Sequence, residues 1–218
     1  MPAGPLRAIA RCDSVVVDPH KHGLQPYGCG AVLFADPAVG RFYRHDSPYT
    51  YFTSDELHLG EVSLECSRPG AAAAALWMTL ELLPLEADRG LGPILAASLR
   101  ATRDWAARIA ACEELELLLE PELDILTFFP VPWHPSVRGV DEASQRLLEA
   151  GMDAASEPVY LSVLAAGADR LIARRPGLAR DAETARVLRS VLMKPEHELH
   201  VDWLHARVTE LARQTAGA

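Results

Sequence analysis

His20-Lys21-His22 sets a primary amine between two imidazoles, just after the apolar run Val15-Val16-Val17 and the dipeptide Asp18-Pro19. An unprotonated lysine can attack a carbonyl and form a Schiff base. An imidazole can carry a proton near neutral pH or hold an anion. Most lysines are solvated surface groups, and that reading fits Lys21 taken alone. Its surroundings argue for more. Gly23, Pro26, Tyr27, Gly28, Cys29 and Gly30 form a glycine- and proline-rich bend, and a second apolar run, Ala31-Val32-Leu33-Phe34, leaves it. One strand therefore delivers the amine to a turn and another strand carries the chain away.

The elements that must hold this turn follow from periodicity. Residues 5–11 read as a helix end, with Leu6, Ile9 and Ala10 on one face. Strands are expected over 12–17 and 29–34, with a turn or short helix at 36–40. Residues 41–54 are aromatic and polar without clear period, and read as a functional loop. A short strand is expected at 62–65. Ser67-Arg68-Pro69-Gly70 opens a helix over 71–83, whose five alanines allow another backbone to approach closely, and a long amphipathic helix follows over 90–112. Composition changes near Cys112. Beyond it, strands are expected at 116–119, 124–129, 159–163 and 187–193, with helices at 140–151 and 197–214. The class is α/β. Residues 1–112 read as part of a larger α/β domain with a mostly parallel sheet, and 113–218 as a small α+β domain.

Composition narrows the function. The chain has 218 residues and a formal charge of −9, which argues against nucleic acid or an anionic membrane surface as partner. No apolar run approaches a membrane span. Cys12, Cys29, Cys66 and Cys112 are scattered, so reduced thiols and a cytoplasmic location are expected. Histidines at 20 and 22, at 45 and 58, and at 197, 200 and 205 invite a metal reading. A metal site needs converging ligands, and His197-Glu198-Leu199-His200 has the wrong spacing for a His-Glu-x-x-His zinc motif. No metal is expected.

The sequence resembles the pyridoxal-phosphate-dependent group II decarboxylases, the family of the aromatic-amino-acid, tyrosine and glutamate decarboxylases. The resemblance rests first on Asp18-Pro19-His20-Lys21-His22-Gly23 and Pro26-Tyr27-Gly28-Cys29-Gly30. It extends through Ser47-Pro48-Tyr49-Thr50-Tyr51, Leu64-Glu65-Cys66-Ser67-Arg68-Pro69-Gly70-Ala71, Glu122-Leu123-Asp124-Ile125-Leu126-Thr127-Phe128 and Leu188-Arg189-Ser190-Val191-Leu192-Met193-Lys194-Pro195. The lysine motif is the most specific of these. The implied fold is the C-terminal part of a fold-type-I large domain followed by the small domain.

The resemblance implies roles. Lys21 would form the Schiff base with pyridoxal 5'-phosphate and later help move a proton. His20 would lie against the cofactor phosphate. Ser67, at a helix start, would donate to a phosphate, in relatives that of the neighbouring subunit, and a helix N-terminus suits an anion. Tyr49 or Tyr51 would be the catalytic tyrosine that protonates the carbanion; spacing does not choose between them. Arg189 would hold the substrate carboxylate. Simpler roles stay open: packing for the tyrosines, capping for Ser67, a structural ion pair for Arg189, and a pair with Glu65 for Arg68.

Family subunits are about twice this length, and the match is to their C-terminal half. The aspartate that pairs with the pyridine nitrogen, the group that stacks on the ring and the main phosphate loop would precede Met1; Asp18 is not in that aspartate's position. The expectation is a fragment, either a truncated gene product or one half of a split enzyme. It would act as an amino-acid decarboxylase with a complementing N-terminal half and form a family-like dimer. Two alternatives are a non-catalytic remnant that associates with full-length homologues and a lyase that breaks a carbon–carbon bond to release an aldehyde.

Overall fold

The computed structural model describes residues 3–44 and 70–217. They form two compact units, Pro2–Leu91 and Gly92–Ala218.

The first unit begins with helix α1 (Ala3–Ala8), extended by a 3-10 turn over Ile9–Arg11. Strands β1 (Ser14–Val17) and β2 (Ala31–Phe34) pair antiparallel, with Val15 opposite Leu33 and Val16 opposite Val32. A 3-10 segment, Pro37–Phe42, follows; the Asp36 carboxylate caps it by accepting from the Ala38 N–H at 2.9 Å. Helix α2 (Gly70–Leu82) has no buried residue, and its length is mostly small or apolar side chains on every face. The β1–β2 ribbon leaves Val16, Val32 and Leu33 at 70%, 56% and 58% exposure. A two-stranded ribbon is marginal by itself. Both sheets of the described residues are antiparallel; the parallel strands expected of the larger domain do not occur among them.

The second unit is built on a four-stranded antiparallel sheet in the order β3-β4-β6-β5, from β3 (Leu115–Leu119), β4 (Ile125–Pro130), β5 (Ser162–Gly167) and β6 (Thr184–Val191). Helices α3 (Leu91–Ala111), α4 (Val137–Met152), α5 (Ala168–Arg174) and α6 (His197–Thr215) complete it. Alternate residues of a strand face opposite sides, and two clusters result. Trp105, Ile109, Leu117, Phe128, Leu147, Leu188, Val208 and Leu211 fill one. Leu118, Phe129, Val140, Leu171 and Val187 fill the other. Trp105 and Phe128 meet ring to ring at 5.4 Å.

Three expectations shift. The long helix α3 buries Trp105 and Ile109 in the second unit, so the packing division falls ahead of the composition change at Cys112. The strand expected at 159–163 lies at Ser162–Gly167, because its pairing with β6 runs from Ser162 opposite Arg189 to Gly167 opposite Thr184. Val159 instead is buried, its N–H bonded to the Gly151 carbonyl. Helix α5 was absent from the expected elements; with seven residues it is too short to show a clear period.

Candidate functional site: the lysine turn

The segment between β1 and β2 is tightly hydrogen-bonded. Lys21 N–H donates to the Asp18 carbonyl at 2.9 Å, closing a turn over Pro19 and His20, and Gln25 N–H donates to the Pro19 carbonyl at 3.1 Å. His20 N–H donates to the Cys29 carbonyl at 3.3 Å, and Nδ1 of the same ring lies 3.2 Å from that oxygen. The His20 ring also faces Tyr27, centroids 5.3 Å apart. Glycine is needed at position 23, where a Cβ would fall 2.7 Å from the Pro19 carbonyl oxygen. Leu24 has φ +58, a left-handed conformation that a β-carbon disfavours by roughly 1–2 kcal/mol.

Two buried groups fix the turn to α2. Gln25 Nε2 donates to the Gly23 carbonyl at 3.0 Å and to Thr79 Oγ1 at 2.8 Å. The Cys29 thiol approaches the Ala72 carbonyl at 3.8 Å. The small side chains of α2 leave the Ala72 carbonyl open to the Cys29 thiol.

The reacting group stands at the surface of the unit. Lys21 Nζ lies 2.6 Å from Asp18 Oδ2, with side-chain exposures of 57% and 38%. The hydrogen bond from Lys21 holds the Asp18 carboxyl below the ordinary 3.8, helped by the charges of Lys21 and His20. Lys21 and His20 are brought together by the turn itself.

Arg189 lies on β6 in the other unit, opposite Thr127 of β4 and Ser162 of β5. It lines a cleft of about 450 Å³ with Tyr160, Ser162, His197, His200 and Trp203, and it makes no ion pair among the described residues. Tyr49, Tyr51, Ser67 and the strand expected at 62–65 lie outside the described residues. Sequence reasoning missed two residues of the turn. Asp18 is three positions before Lys21, the spacing of a turn-closing pair, and this was the available signal. Gln25 carried none, since nothing local shows that its amide reaches a helix 54 residues away.

No protein-family profile matches the chain. Curated relatives do. It is 35% identical over 148 residues to the L-2,4-diaminobutyrate decarboxylase of Acinetobacter baumannii, covering 66% of this chain and 28% of that protein. It is 32% identical over 138 residues to a probable L-tyrosine/L-aspartate decarboxylase of Methanothermobacter thermautotrophicus, covering 63% and 34%. The chain therefore spans about a third or less of these relatives' length. Among solved structures, mouse CSAD in its apo form aligns with TM-score 0.70 at 22% identity, over 95% of this chain and 41% of that one. Oryza sativa TDC with PLP and tryptamine aligns with TM-score 0.73 at 15% identity, over 94% and 40%. At these identities the solved structures establish the fold. By sequence over about two thirds of its length and by fold over nearly all of it, the chain is a relative of the pyridoxal-phosphate-dependent group II amino-acid decarboxylases and corresponds to a part of their length.

Proposed function

We propose that this chain is the lysine-bearing part of a pyridoxal-phosphate-dependent amino-acid decarboxylase, located in the cytoplasm and active when the remainder of such an enzyme completes it. The observation that carries the reading is Lys21 itself: an accessible primary amine on a hydrogen-bonded turn, in a chain similar to amino-acid decarboxylases.

The residues present fit the cofactor's chemistry. The Lys21 amine is exposed to a carbonyl, and His20 stands beside it. When bound, pyridoxal phosphate supplies an electron sink for the charge left as carbon dioxide departs. Lys21 holds the cofactor and moves a proton at Nζ. His20, with Nδ1 held on the Cys29 carbonyl, would lie against a phosphate. Arg189 binds the substrate carboxylate through its guanidinium. Tyr49 or Tyr51 returns a proton to carbon, and Ser67 donates to a phosphate.

The need for a complement is supported by the relatives' greater length and by the open apolar ribbon β1–β2. A homodimer of completed subunits is part of the proposal. So is the location, supported by the free thiols of Cys12, Cys29 and Cys112.

The test is co-expression with the polypeptide that the A. baumannii relative carries beyond the matched region, followed by assay of carbon dioxide and aldehyde from candidate amino acids. Release of carbon dioxide that Lys21→Ala abolishes is expected. Release of aldehyde without carbon dioxide would replace the decarboxylase by a carbon–carbon lyase. A complex with no carbon dioxide, no aldehyde and no bound-cofactor absorbance would leave only an association role.

A further inference from the structure

The Asp18–Lys21 pair conflicts with the work assigned to Lys21. Addition to a carbonyl needs the neutral amine, whereas a carboxylate 2.6 Å from Nζ favours the ammonium. The pair spans a closed turn, with the backbone bond from Lys21 N–H to the Asp18 carbonyl beneath it. Among the described residues the ionisable groups beside it are His20, between the two residues with its ring against Tyr27, and His22, next along the chain. Helix α2 meets the turn through neutral groups, Thr79 and the Ala72 carbonyl.

We propose that Asp18 is the positioning residue of Lys21 and acts as its latch: the carboxylate holds Nζ in an ion pair, drawn back toward the end of β1, until the pair opens. The inference rests on Lys21 being the cofactor anchor. Opening passes the ammonium proton to water. The neutral amine then adds to the aldehyde carbon; the C=O bond is replaced by a C=N bond and the oxygen leaves as water. Nothing is oxidised or reduced. In a completed enzyme, displacement of Asp18 would tie attachment to arrival of a ligand at the turn.

The chain provides its own reference. It contains two lysines, Lys21 and Lys194. Lys194 is exposed and has no ion-pair partner among the described residues. The full chain is incubated with pyridoxal 5'-phosphate from pH 6 to 10. Borohydride then reduces the C=N bond, giving hydride to carbon while solvent gives a proton to nitrogen, and the two lysine peptides are quantified. Asp18→Asn keeps the shape and removes the charge. It is expected to raise labelling of Lys21 relative to Lys194 roughly 1.5- to 5-fold near pH 7, the range of an exposed ion pair. Asp18→Glu is expected to restore the original profile. High salt should shrink the difference.

Hydrogen exchange over β1 and β2 checks that both variants keep the ribbon. Equal or slower labelling of Lys21 in Asp18→Asn, with the ribbon intact, would overturn the latch alone. A Lys21 that stays unlabelled in every variant while Lys194 reacts would overturn both the latch and the anchor reading.

Discussion

The two units differ in how completely they satisfy themselves. The second closes two apolar clusters around a four-stranded sheet, with Trp105, Phe128, Phe129, Leu171 and Val187 at zero exposure. The first has a well-bonded turn on a poorly covered ribbon, where Val16, Val32 and Leu33 are more than half exposed. Apolar burial drives folding at roughly 25 cal/mol per Å², so the second unit carries its own stability. The first holds its turn by hydrogen bonds and leaves apolar surface over. The lysine turn sits in the part that is open. This is the arrangement expected if the ribbon belongs to a larger sheet, and such an open ribbon is a liability unless covered.

The largest effects that could break this contrast are in the second core. Phe128→Ala should destabilise the second unit by about 3–5 kcal/mol in denaturant unfolding. Val32→Ala on the ribbon should change stability by no more than about 0.5 kcal/mol. A large loss from Val32→Ala would show that the ribbon is already packed. Adding the complementing polypeptide should reverse the result and make Val32 matter.

The brace on the turn comes next. Gln25→Leu removes the amide that joins the Gly23 carbonyl to Thr79. Leaving those groups unmet should cost about 1–3 kcal/mol, read as faster amide exchange over residues 18–29 with no change in β3 to β6.

The pH response should separate the units as well. His205 is held below the ordinary 6.5, mainly by burial and secondarily by Arg108, and its Nδ1 is buried without a hydrogen-bond partner. The folded unit then binds fewer protons than the unfolded chain between 6.5 and the lowered value. Stability of the second unit should therefore fall as pH drops below about 6.5, and His205→Gln should flatten that slope. In the first unit Asp18 lies below its usual 3.8 because of Lys21. Its contribution is present above 3.8 and is lost as pH falls further, so Asp18 adds no slope between pH 7 and 5. The smallest expected effect is Glu198→Gln, which breaks a solvent-exposed pair with Arg100 and should leave the denaturation midpoint of the second unit essentially unmoved.

Much of this was legible in the residues. Val15-Val16-Val17 and Ala31-Val32-Leu33-Phe34 flanking a bend gave the ribbon, and the spacing of Val201, Leu204, Val208 and Leu211 gave α6. Lys21 stood out for where it sits, and a motif then gave it a chemical reading. The start of β5 was not legible, because Val159 and Leu161 are as apolar as a strand requires while register with β6 decides where pairing begins. The brace was hidden for another reason. Its role comes from a tertiary distance, 2.8 Å between Gln25 and Thr79, which composition does not encode.

The most direct measurement of the central claim is the position of the covalent label when the chain, together with its complement, is reduced by borohydride in the presence of pyridoxal 5'-phosphate. Label concentrated on the Lys21 peptide, well above that on Lys194, is expected, with a bound-cofactor absorbance that Lys21→Ala removes. Modification at Lys194 alone, or a cofactor band that survives Lys21→Ala, would contradict it.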